Sequence, residues 1–176
     1  QIVSFTAPTG SGKTIMAATA IENILYGCET FPAQPDSIFV WLSDSPQLNE
    51  QSREKFILKA DKIRLHQLVT IKEETFDQET LEDGHIYFLN TQKLGKGGKL
   101  TLSGGEHRTW SIWETLQNTA EAKGTHLILI IDEAHRGMRD NRDAARATTI
   151  MQKFIKGSQA DGLKPLPVVI GMSATP

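Results

Sequence analysis

Residues 5–14 read FTAPTGSGKT, and this stretch limits the fold more than any other in the chain. A β-rich run, IVSFT (2–6), precedes it. After it, IMAATAIENILY (15–26) repeats apolar residues at helical spacing, with Gly27 as a stop. An ordinary strand-to-helix loop needs a turn and a cap. Here Pro8, Gly10 and Gly12 stand just ahead of a lysine. Glycines let the backbone N–H groups of residues 10–14 curl around an anion. The following helix aims its positive end at the same point. Lys13 then reaches the outer phosphates of a nucleotide, and the Thr14 hydroxyl can ligate Mg²⁺. Thr9, Gly10, Ser11, Gly12, Lys13 and Thr14 are therefore the candidate nucleotide-binding residues. The strict pattern opens with Gly; this chain has Ala7 there. The alternative is a Gly-rich capped turn, which accounts for the glycines but not for GKT between a strand and a helix.

The rest of the chain alternates in the same way. SIFVWL (37–42), HIYFL (85–89), LILII (127–131) and the run 168–172 read as strands. The first three are continuously apolar, as in a parallel sheet covered on both faces. Helices are expected over 46–60, with Ser45 as N-cap, over 110–122 and over 144–156. Residues 95–108, GKGGKLTLSGGEHR, hold five glycines and no period, and read as a mobile loop or loose hairpin. This order predicts an α/β fold, a central parallel sheet with helices on both faces. Ligands on such sheets sit beyond the carboxyl ends of the strands, where the unusual residues fall.

A triphosphate site that turns over needs carboxylates at a neighbouring strand end. LILIIDEAH (127–135) supplies them. Asp132 emerges from a buried strand, where it can hold Mg²⁺ through water, and Glu133 can orient or deprotonate the attacking water. Taken alone, a strand ending in a polar turn would explain these residues equally well. The pairing with the phosphate loop makes the reading specific.

APTGSGKT, DEAH and SAT (173–175), in this order, resemble motifs I, II and III of superfamily 2 helicases and translocases. The wording around them, IFVWLSDSPQLNEQ, IYFLNTQKL and IIDEAHRGM, is most similar to the motor subunit of type III restriction enzymes and related restriction helicases. The resemblance covers residues 1–176 as one RecA-like P-loop NTPase domain, the first of the usual two. It implies ATP and Mg²⁺ as cofactors, hydrolysis coupled to movement on duplex DNA with RNA less favoured, and a second RecA-like domain as partner. It also leaves room for a DNA-modification or nuclease subunit. It implies a catalytic role for His135 beside Lys13, Asp132 and Glu133, with His135 linking the nucleotide site to Ser173 and Thr175, which couple hydrolysis to motion. Ser45, Pro46, Gln47 and Gln51 resemble motif Ia, and Thr91 with Gln92 the motif Ib region, both nucleic-acid contacts. A helix cap or a turn explains each of these pairs as well. The start at Gln1 inside an apolar run suggests a fragment; motifs IV to VI, with their arginine finger, are not in this sequence, so the domain alone is expected to be weakly active.

Other features read as structural. The net charge of −2 gives no global footprint for nucleic acid, so any contact is a local patch. Lys93, Lys96 and Lys99 either reach phosphates or solubilise their loop. Arg136, Arg139, Arg142 and Arg146 share a helical spacing interleaved with Asp140 and Asp143, which favours a solvated, salt-bridged face. Trp41, Trp110 and Trp113 are expected in the core. One cysteine and five histidines without ligand spacing exclude a zinc cluster. No apolar run is long enough for a membrane span, and the absence of a signal peptide and a cytoplasmic location are expectations. Two functions of different class fit: an ATP-driven motor, and a nucleotide-gated binding switch in which hydrolysis is incidental. Glu133 favours the motor, because a pure binder has no need of a water-activating carboxylate.

Overall fold

The six strands are β1 (Ile2–Thr6), β2 (Ile38–Ser43), β3 (Leu68–Thr70), β4 (Ile86–Asn90), β5 (Leu127–Ile131) and β6 (Val168–Ser173). They lie parallel in the order β1-β6-β5-β2-β4-β3. This computed structural model describes residues 1–176 except 9, 107, 133–140, 175 and 176, and over 141–148 the backbone only. Among the described residues, four α-helices, α1 (Lys13–Tyr26), α2 (Pro46–Lys59), α3 (Ile112–Lys123) and α4 (Asn141–Lys156), connect the strands.

The continuous apolar runs become the middle of the sheet. β2, β4 and β5 are buried at every residue. Alternate side chains go to opposite faces. On one face Phe39, Trp41, Phe88 and Ile130 meet Ile21 and Leu25 of α1 and Phe56 of α2. On the other, Val40, Leu42, Leu89 and Leu129 meet Trp113 and Leu116 of α3 and Phe154 of α4. The helices therefore cover both faces, as the alternation of elements requires. Trp41, Phe56 and Phe88 make an edge-to-face cluster, with Phe56 5.4 Å from Trp41 and 5.7 Å from Phe88.

Local signals explain the helix starts. Ser45 Oγ accepts from the Leu48 N–H at 3.3 Å, with Pro46 in the first turn of α2. Ser111 and Glu114 form a reciprocal capping box at α3. α1 begins at Lys13, two residues before the apolar periodicity, because Gly12 turns the chain into the helix.

Three details differ from these expectations or add to them. β3 is a three-residue edge strand, too short to announce itself by periodicity. Trp110 is half-buried outside the core, while Trp41 and Trp113 are buried in it. The glycine-rich segment is anchored at two points, with Leu100 fully buried and the Arg108 guanidinium donating to the carbonyls of Phe76 and Glu73, while residues 102–106 between them are exposed.

Candidate functional site

The loop after β1 has the conformation that its glycines suggested. Gly10 and Gly12 take φ of 81° and 80°, the left-handed region that costs other residues strain. A Cβ built at either glycine meets no protein atom within 4 Å. The glycines are thus required by the turn and not by crowding, and the space above them is open, where a bound anion rather than a protein atom would meet a side chain. No side chain caps α1, and its first turn holds no acid. With no acid there to offset it, the positive end of the helix faces the loop and favours an anion.

Lys13 and Thr14 are only 6% and 8% exposed, unusual for a lysine at a helix start. The Lys13 ammonium donates to the carbonyls of Ala7 at 3.0 Å and Pro8 at 3.4 Å, inside the arc of its own loop. Ala7, where the strict pattern has glycine, donates its N–H to the Ser173 carbonyl at 3.1 Å and so continues the β1–β6 ladder.

Asp132 follows β5 and is 7% exposed. Its N–H donates to the Leu42 carbonyl at 2.8 Å, and its Oδ2 accepts from Ser52 Oγ at 3.3 Å. The strand order then assembles the site. β6 lies between β1 and β5, so Ser173 at its end stands between the phosphate loop and Asp132. Ser173 pairs with Thr6, the last residue of β1. Lys13, Thr14, Ser173 and Asp132 share three adjacent strand ends. A hydroxyl and one carboxylate, completed by phosphate oxygens and water, suit Mg²⁺, which takes few protein ligands beside a nucleotide. Among the described residues no group of three or more His, Cys, Asp or Glu is arranged for a metal.

The next two strand ends carry the residues set apart for nucleic acid. Pro46 and Gln47 are exposed at the first turn of α2, after β2. Ser45 spends its hydroxyl on the cap. After β4, Gln92 is exposed but Thr91 is only 4% exposed, so Gln92 presents the side chain. Lys93 is half-buried and donates to the Ile71 carbonyl at 3.0 Å, a structural tie; Lys96 and Lys99 are exposed. Thr9, Glu133, His135 and Thr175 lie outside the described residues, as do Arg136, Arg139 and Asp140 and the side chains of Arg142, Asp143 and Arg146. Ser52 carried no signal in the sequence, because its partner Asp132 is 80 residues away.

The sequence matches the family described as type III restriction enzyme, res subunit, over residues 1–176. The chain belongs to this res-subunit family. Among solved structures, the res-subunit chain is similar to the UvsW helicase from bacteriophage T4, with a TM-score of 0.53 and 11% identity. That likeness, which is one of fold, covers 99% of the chain and 47% of the helicase, so the chain spans about half of its length. A search of curated protein sequences returned no match. Family and fold together give a res-subunit chain whose α/β domain is folded like that of the UvsW helicase. Among the described residues of this res-subunit chain, no helix is long and apolar enough to cross a membrane.

Proposed function

We propose that residues 1–176 are the first RecA-like domain of an ATP-dependent DNA translocase or helicase, the motor of a restriction-type enzyme. The observation that carries this reading is the strand order. It sets a glycine cradle with a buried lysine, Ser173 and Asp132 on three successive strand ends. The exposed Pro46, Gln47 and Gln92 follow on the next two.

Each residue has a task in this scheme. The N–H groups of Gly10, Ser11, Gly12, Lys13 and Thr14, beside Thr9, hold the phosphates of ATP. Lys13 leaves the Ala7 and Pro8 carbonyls for the outer phosphates, exchanging neutral acceptors for charged ones. Thr14 and Asp132 would hold Mg²⁺, which when bound neutralises charge on the phosphate oxygens. Glu133 orients the attacking water and accepts its proton. His135, Ser173 and Thr175 couple turnover to movement. Pro46, Gln47, Thr91 and Gln92 line the DNA side, with Thr91 supporting Gln92 from beneath. The domain works against a second RecA-like domain, with duplex DNA as track, a modification or nuclease subunit as associate, and the cytoplasm as location.

The deciding experiment is ATP hydrolysis and triplex displacement by the intact protein, with and without duplex DNA. DNA-stimulated hydrolysis with displacement is the expected result. Nucleotide binding that leaves the triplex in place would favour the nucleotide-gated switch instead.

A further inference from the structure

α2 joins the two halves of this site, and it does so through an unusual inward stripe. Its buried residues are Asn49, Ser52 and Phe56. Only Phe56 is apolar; it anchors the helix on Trp41 and Phe88. Asn49 Oδ1 accepts from the buried Ser43 hydroxyl at 2.8 Å, tying the first turns of α2 to the end of β2. Ser52, 4% exposed, donates to Asp132 Oδ2 at 3.3 Å. A buried serine in place of an apolar residue is a loss to packing unless its hydroxyl has work to do. Here it has: it holds one oxygen of the carboxylate and so biases the direction of the other. At that strand end the backbone is held as well, since the Asp132 N–H donates to the Leu42 carbonyl and joins β5 to β2.

We infer that Ser52 is a positioning residue that couples α2 to the metal-binding carboxylate. Nucleic acid pressing on Pro46 and Gln47 at the start of α2 shifts the helix. Ser52, about one and a half turns further along, passes that shift to Asp132 by rotating its carboxylate. This inference rests on the proposed roles of Asp132 in holding Mg²⁺ and of the α2 start in touching DNA. Hydrogen-bond partners behind a metal ligand typically change metal affinity by about 10–100-fold.

The test uses the intact protein and Mn²⁺ as a spectroscopic probe. Mn²⁺ affinity is measured by electron paramagnetic resonance with a non-hydrolysable ATP analogue bound, with and without duplex DNA, alongside melting temperature. In the wild type, duplex DNA is expected to change Mn²⁺ affinity several-fold. Ser52→Ala should weaken Mn²⁺ binding about tenfold and abolish the response to DNA, with metal-free nucleotide affinity unchanged. Ser52→Thr, which keeps the hydroxyl, should restore both. A lower melting temperature in Ser52→Ala with wild-type Mn²⁺ affinity would reduce Ser52 to a packing residue and overturn the inference. So would a wild-type response to DNA in that variant, no response in the wild type, or failure of Ser52→Thr to restore it. Wild-type protein that binds no Mn²⁺–nucleotide at all would bring down the functional reading as well, which separates the two failures.

Discussion

Lys13 shows how much one side chain can carry. The residue is only 6% exposed, and its ammonium is held by two backbone carbonyls of the loop before it. Lys13→Ala removes a charge-assisted contact worth roughly 1.5–3 kcal/mol. Calorimetric titration should therefore show Mg-ATP binding weakened about ten- to over a hundredfold; equal affinity would remove the phosphate-loop assignment. Glu133 separates motor from switch. Glu133→Gln keeps size and one acceptor oxygen but cannot take a proton, and it leaves Lys13, Thr14 and Asp132 untouched. In the intact protein ATP should bind as before, while turnover falls by ~10²–10⁴ and triplex displacement stops. A variant that still displaced the triplex at the wild-type rate would sink both the motor reading and the role given to Glu133.

At the scale of elements, the fold depends on how helices and loops are pinned to the sheet. α2 has one apolar anchor, Phe56, fully buried between Trp41 and Phe88. Phe56→Ala should cost about 3–5 kcal/mol of stability, read by urea denaturation. A loss below ~1 kcal/mol would mean that the cavity collapses at little cost. The segment between β3 and β4 is held differently. Asp77 accepts from the N–H groups of Thr109 at 2.8 Å and Trp110 at 2.9 Å, just before the Ser111 cap of α3. Those two backbone donors, Thr109 first, hold its carboxyl below the ordinary aspartate value. A carboxyl whose folded value is lowered adds stability above its unfolded value of about 3.9 and loses it as pH falls through the folded value. Wild type should therefore melt higher than Asp77→Ala at pH 7, and the gap should close as pH drops below about 4. A gap that persists at pH 2 would show that the carboxylate charge is not what pins the loop.

On the proposed reading the whole molecule is one half of a machine, and the carboxyl ends of its strands are where the other half would act. In P-loop enzymes an arginine reaching the phosphates from a facing surface is worth ~10³–10⁵ in rate. Residues 1–176 alone should bind Mg-ATP yet hydrolyse it slower than the intact protein by about that factor, with little rescue by duplex DNA. Rapid DNA-stimulated turnover by the single domain would refute the two-domain reading. Much of this was legible in the residues themselves, because local chemistry decides local structure. Gly12 before Lys13 sets the start of α1, Ser45 caps α2, and LILII can only be a strand buried on both faces. What the residues could not reveal was which strands become neighbours. Parallel strands are joined by long crossovers, and no local interaction records that β6, last in the chain, slides between β1 and β5. That insertion, driven by burial of the apolar faces, seats Ser173 between the phosphate loop and Asp132. The same long-range packing hides Thr91, commits Lys93 to the Ile71 carbonyl and brings Ser52 onto Asp132 across 80 residues. The sequence by itself determined the elements and the chemistry at their ends; the tertiary structure alone decided which ends meet, because contact across a sheet is set by the burial of whole faces and not by any single residue.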